Sequence, residues 1–252
     1  AADGRLLLFR AADHAARFVR SAERMMLLPY PAQDFVAAVK QVVTVNRDFV
    51  PSAAEGSFYL RPLLFGVDEM PGMRVGRLFR VVIYGSPVGA LHSDRGLALD
   101  VLETSRAPAG GTAEAKAIVN YAGTLMQRMR AREQGFDDVL FTGEGCAQET
   151  TGTNLFCLLD SGVLVTPALD GRFLGGITRD SVIALAKHSG LEVQQRPLPV
   201  SEMLEHGNEV FCTGTASGVL SVSRMRYRDA QKDFEGRELA AALGEQLQAI
   251  KE

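Results

Sequence analysis

The sequence predicts an α/β (α+β) fold in two lobes. Short segments rich in branched and aromatic residues are interleaved with longer segments of helical periodicity, an order that builds mixed layers rather than a bundle or a sandwich. The stretch Gly85-Ser-Pro-Val-Gly89, with two glycines and a proline, interrupts that order. The 252 residues are 46% hydrophobic and 23% charged, enough for a sizeable core and ordinary for a globular chain.

Taken in order, Leu6–Phe9 has strand character. Asp13 is placed to cap a helix running to about Met26, and Pro29 and Pro31 close that region. Asp34–Asn46 repeats Phe35, Val36, Val39, Val42 and Val43 at helical spacing. Ser57–Phe65 and Phe79–Tyr84 carry the aromatic and branched residues of strands. Residues 1–85 are therefore expected to form a small domain, 86–90 a linker and 91–252 a larger domain. In the larger part, Leu97–Leu102 predicts a strand, and Ala113–Gln134, rich in Ala, Met, Gln and Arg, predicts a long helix. Strands are expected at Asp138–Phe141, Leu155–Leu159, Val163–Val165 and Glu209–Cys212. Helices are expected from Ile177 to about His188 and over Arg237–Ile250.

Several function classes are disfavoured. A net charge of −3 gives no general attraction to nucleic acid or an anionic membrane. No apolar run is long enough to span a bilayer. Cys146, Cys157 and Cys212 are widely spaced and odd in number, which suits a reducing cytoplasm and argues against a disulfide framework or a metal site. The G-x-x-x-x-G-K-[ST] phosphate loop and the G-x-S-x-G elbow are absent, and Gln148 breaks the pattern begun by Gly143 and Gly145. His14, His92, His188 and His206 are isolated, each read as a packed or solvated side chain. Two segments have the make-up of anion cradles. Gly175-Gly-Ile-Thr178 precedes a helix, whose first turn offers unpaired N–H groups. Thr213-Gly-Thr-Ala-Ser-Gly218 follows a strand. By themselves such turns are more often structural.

Order and spacing then become specific. Gly111-Thr-Ala-Glu-Ala-Lys-Ala-Ile-Val-Asn-Tyr-Ala122 resembles the lysine segment of the branched-chain amino acid aminotransferases, which are fold-type IV pyridoxal-phosphate enzymes. Ser57–Pro62, Arg132–Leu140, Glu149–Phe156, Thr166–Gly171, Gly175–Ser181 and Thr213–Ala216 resemble further segments of that family in the same order. The resemblance implies a homodimer that exchanges an amino group between Leu, Ile or Val and 2-oxoglutarate, with pyridoxal 5'-phosphate held as a Schiff base on Lys116. It implies that Glu149 meets the cofactor's ring nitrogen and Tyr121 its ring hydroxyl. Arg17, Ile177, Thr178 and Thr215 would hold the phosphate. Tyr59 and Arg61 would lie near the substrate, and the backbone of Ala216 would meet its carboxylate. Read without the resemblance, Lys116 and Glu149 are surface charges, Tyr121 is helix packing, and Arg17 is one of three solvated arginines with Arg20 and Arg24.

Three departures keep alternatives open. Ile118 and Val119 stand where the family usually has Gly-Gly beside the cofactor, so a reshaped pocket is expected. Thr151 and Gly152 alter the acidic segment. Family members carry several tens of residues before the point matching Arg10, so the small lobe is expected to be truncated. The alternatives are a related fold-type IV enzyme with another amino acid substrate, and a non-catalytic relative acting in interaction or regulation.

Overall fold

The structure, a computed structural model, describes residues 6–52, 55–69, 72, 74–89, 95–108 and 110–251. His92 and position 90 of the expected linker lie outside them. The chain divides into two compact units, one of residues 1–92, 115–117 and 251–252, the other of residues 93–114 and 118–250.

In the first unit, helices α1 (Ala11–Arg24) and α2 (Ala32–Val45) accompany an antiparallel pair, β1 (Gly56–Gly66) and β2 (Phe79–Gly89). Ala15, Phe35 and Val39 are buried, with Phe18, Tyr30, Leu60 and Ile83 packed around them. The expected strand at Leu6–Phe9 is irregular, because β1 and β2 pair only with each other and give it no partner among the described residues. Asp13 is not the cap of α1. Arg10, in left-handed conformation (φ 51°), starts the helix, and Asp13 in the first turn accepts a 2.8 Å bond from its Nε. Pro31 precedes α2 directly, so that helix starts ahead of Asp34. The Gly85–Gly89 stretch is not an irregular linker but the end of β2, paired with Leu60–Gly56. Gly85 is needed there for packing, since a Cβ would lie 2.2 Å from the Phe58 ring.

The second unit is built on a nine-stranded sheet: β3 (Leu97–Leu102), β4 (Asp138–Gly143), β5 (Cys146–Thr150), β6 (Asn154–Leu159), β7 (Leu164–Thr166), β8 (Val193–Gln195), β9 (Gly207–Gly214), β10 (Gly218–Tyr227) and β11 (Ala230–Asp233). Strand β9 pairs with both β6 and β10, and β10 pairs in parallel with β3. Strands β3, β4, β5, β6, β9 and β10 therefore close into a ring. Alternation along the strands fills the ring and clothes it. Leu99, Leu140, Leu155, Cys157, Val210, Cys212, Val222 and Met225 pack together inside. Phe156 and Phe211 point the other way and stack at 5.1 Å, joining Val182, Ile183, Ala240 and Leu243 of helices α4 (Ile177–His188) and α6 (Glu238–Ala249). Helix α3 (Val119–Glu133) covers Ala98, Val139 and Phe141 through Ala131, and a short α5 spans Val200–His206. Burial pushes the Cys157 and Cys212 thiols up to about 12, so both are inert apolar fillers.

The long helix expected from Ala113 begins only at Val119. Asn120 holds its start: its side-chain amide donates to the Thr112 carbonyl and accepts from the Thr112 hydroxyl, both at 2.7 Å. The residues between form a loop closed at its base, a tertiary constraint that overrides their helix propensity.

Candidate active site

Lys116 lies on that loop, in irregular backbone, with an exposed side chain. Its backbone N–H donates to the Ser21 hydroxyl of α1 at 2.9 Å. Arg17, one turn earlier on the same face of α1, is 9% exposed, whereas Arg20 and Arg24 are exposed. The structure thus separates the three arginines that composition alone leaves equivalent. Arg17 Nη2 donates to His14 Nδ1 at 3.2 Å. His14 is pushed down to about 4 by burial first and by the charges of Arg17 and Arg10 next, with Lys116 adding to the effect. Arg17 and Lys116 therefore share one neighbourhood with a neutral imidazole in the first unit. Tyr59 and Arg61 lie on the exposed face of β1, away from α2, and interact with each other, the guanidinium 5.3 Å from the ring centroid.

In the second unit, Glu149 is turned to the outside of the ring by the local register. Thr142 opposes Ala147 but Leu140 opposes Thr150, so β5 carries one extra residue against β4. Such a bulge re-aims the side chains beyond it. Glu149 then lies level with Asn154 of β6, which is level with Thr213 of β9. This polar row crosses three strands on the side that carries Phe156 and Phe211. The segment leading into α4 is bound to it. Asn154 donates to the Leu174 carbonyl at 2.8 Å, and Leu174 N–H reaches Glu149 Oε1 at 3.4 Å. Ile177 and Thr178 open α4 and are buried, and no side chain caps the helix. Thr215 and Ala216 form the exposed turn between β9 and β10.

Gly176 fits this packing only as glycine, since a Cβ would lie 2.2 Å from Asn154 Oδ1. Gly176→Ala is expected to displace the Asn154 amide and lower stability by about 1–3 kcal/mol, read as a lower midpoint in thermal unfolding.

One residue of this cluster carries no signal in the sequence. Arg106 lies in the irregular segment after β3. Its Nη1 forms an ion pair with Glu149 Oε1, and the two side chains are 2% and 3% exposed. Its Nη2 donates to the carbonyls of Asn120 and Thr151, both at 3.3 Å, and the guanidinium lies 5.1 Å from the centroid of the Tyr121 ring. Glu149 and Tyr121, expected at the ring nitrogen and the ring hydroxyl of the cofactor, are thus joined through the buried Arg106. Thr151 also has a place here, its hydroxyl donating to Asp138 Oδ2 at 2.9 Å. Burial pushes the Asp138 carboxyl above the usual carboxylate range.

Ile118 and Val119, expected to reshape a pocket, are exposed, Ile118 to 85%. Of the other histidines, His206 is a surface residue 3.0 Å from Asp160, and His188 ends α4. Among the described residues no cluster of His, Cys, Asp and Glu could hold a metal, and no helix is long and apolar enough to cross a membrane.

The first unit thus offers a lysine on a tethered loop and a buried arginine in one neighbourhood, and the second a buried carboxylate and two small-residue turns. The comparisons give the family. The sequence model of amino-transferase class IV matches residues 1–225, and the chain belongs to that family. It is 40% identical to the mitochondrial branched-chain-amino-acid aminotransferase 1 of Arabidopsis thaliana over 239 residues, covering 92% of this chain and 62% of that protein. It is 36% identical to a methionine aminotransferase of the same plant, covering 99% of this chain and 72% of that one. Among solved structures it is similar to the Thermobaculum terrenum branched-chain amino acid aminotransferase in its PLP form (TM-score 0.83, 26% identity, 98% of this chain and 81% of that one). It is also similar to the Thermoproteus uzoniensis branched-chain aminotransferase with norvaline (TM-score 0.85, 27% identity, 98% and 82%). The chain spans about three-fifths of the length of two curated relatives that it matches, the branched-chain aminotransferases of Arabidopsis thaliana and Humulus lupulus mitochondria.

Proposed function

We propose that the protein is a pyridoxal-phosphate-dependent aminotransferase that moves an amino group between a branched-chain L-amino acid (Leu, Ile or Val) and 2-oxoglutarate. The observation that carries this reading is the neighbourhood of Lys116 and Arg17: an amine on a fixed loop and a buried guanidinium suit a ligand bearing both an aldehyde and a phosphate. Features at the other expected contacts support the same reading. Gly176, the N-cap of α4, brings no side chain to the helix start and has no room for one, and among the described residues the buried Thr213 hydroxyl has no hydrogen-bond partner. Ile177, Thr178 and Thr215 would hold the phosphate together with Arg17, Glu149 would face the ring nitrogen, and Tyr121 the ring hydroxyl. When bound, the cofactor supplies an electron sink for charge developing at the substrate's α-carbon. Lys116 would bond the cofactor's aldehyde carbon and, once released by the incoming amine, would carry a proton from the α-carbon as base and return it as acid. Tyr59 and Arg61 would line the substrate side, with the Ala216 backbone at the substrate carboxylate.

Absorbance spectra of the loaded protein test this. A visible band that moves toward the near-ultraviolet with leucine, valine or isoleucine, and returns with 2-oxoglutarate, is the expected result. A band that moves only with methionine would favour the second reading, which the likeness to a methionine aminotransferase motivates. A protein without a band would leave the non-catalytic alternative.

The working form is a homodimer. Ile118, Leu125, Met126 and Met129 form an exposed apolar stripe at helical spacing along α3, a face suited to a second copy. Light scattering should give a dimer at micromolar concentration and a monomer after Leu125→Glu with Met129→Glu; a monomeric parent protein would count against the assignment. Three unpaired cysteines fit a reducing compartment, the cytoplasm on this reading.

A further inference from the structure

We propose that His14 and Ser21 are positioning residues, His14 for Arg17 and Ser21 for Lys116, so that one face of α1 sets both ends of the cofactor site. The inference rests on the cofactor reading above and adds residues that reading does not use. His14, Arg17 and Ser21 are spaced three and four apart, which places them on one stripe of the helix. Arg17 and Ser21 are buried and His14 is half-buried.

A guanidinium has no acceptor, so in the 3.2 Å contact Arg17 Nη2 must donate and His14 Nδ1 must accept. That fixes the imidazole as the neutral form with its proton on Nε2. The groups around it agree: Arg10, Arg17 and Lys116 all disfavour a further positive charge, against Asp13 alone favouring one. A neutral acceptor contacts Arg17 without itself neutralising the guanidinium's charge. A carboxylate in place of His14 would neutralise it. At the other end of the stripe, the Ser21 hydroxyl accepts the Lys116 backbone N–H at 2.9 Å. The lysine's main chain is therefore fixed while its side chain is exposed, which suits a group that must bond a carbon and then carry a proton.

The test compares binding of pyridoxal phosphate, pyridoxal and inorganic phosphate by the parent protein and by His14→Phe, His14→Gln, Ser21→Ala and Ser21→Thr. His14→Phe should weaken pyridoxal phosphate and inorganic phosphate about tenfold, the size of one charge-assisted hydrogen bond, and leave pyridoxal unchanged. His14→Gln, which restores a neutral acceptor, should recover most of the loss. Ser21→Ala should slow borohydride trapping of pyridoxal on Lys116 about tenfold without changing inorganic phosphate affinity, and Ser21→Thr should restore it. Equal losses for all three ligands, or none, would reduce both residues to ordinary packing. The imidazole nitrogen-15 spectrum of the cofactor-free protein decides the His14 contact without any ligand: a proton on Nε2 near neutral pH is expected, and a proton on Nδ1 overturns it. A parent protein that binds no pyridoxal phosphate while showing the Nε2 proton would sink the cofactor reading and leave the His14–Arg17 contact standing.

Discussion

Lys116→Ala is expected to remove the visible band of the cofactor-loaded protein and to lower amino-group transfer on the order of 10³-fold or more, because on the proposed reading one amine would both bond the cofactor and move the proton. Folding should be untouched, since the side chain is exposed and the loop is held through its backbone and the Thr112–Asn120 pair. The thermal midpoint of the variant should therefore match that of the parent. Lys116→Arg should behave like Lys116→Ala, because a guanidinium keeps the charge but cannot act as the nucleophile. A small primary amine added to the Ala variant should restore part of the rate but no covalent label. A band that persists, with the label on another lysine, would remove Lys116 from its role.

Arg106→Met should produce the largest loss of stability, about 3–5 kcal/mol, the range for removing one partner of a buried ion pair. Glu149 would be left charged inside the protein, and the carbonyls of Asn120 and Thr151 would lose a donor. The midpoint should fall by roughly 10 °C for a chain of this length. Arg106→Met with Glu149→Gln should be less destabilised than the sum of the two single changes, because the unpaired charge is gone. Strict additivity in that double-mutant cycle would show that the pair is not coupled.

Local pattern made some elements legible and tertiary demands hid others. Strand β3 and helix α4 lie where composition and periodicity put them, because each combines a continuous apolar face with clear flanking turns. Composition puts the start of α3 too early because Ala113–Ala117 has good helix propensity, whereas the bonds that keep it irregular come from Thr112, Asn120 and Ser21. Strands β5 and β10 have no clear pattern in the sequence because polar residues such as Gln148, Glu149, Ser221 and Arg224 occupy positions that the ring supplies with partners from distant segments. The candidate site is legible in the sequence only as ordered motifs. Arg17 could not be told from Arg20 by sequence, since only packing buries one of them. Arg106 was invisible because its partner Glu149 is 43 residues away, and the extra residue in β5 that directs Glu149 outward has no signature of its own.

The closed ring has a consequence for how the chain reaches this state. Its seam, β10 against β3, joins residues more than 120 positions apart: Arg224 opposes Ala98. Until β9 and β10 have been synthesised, β3 and β6 each present an unpaired edge rich in Leu, Val and Phe. Pairing between segments so remote is slow, because chain closure precedes the contacts that reward it. During translation the second unit is therefore exposed to edge-to-edge association until nearly its whole length has emerged, and it should depend on chaperones until the seam closes.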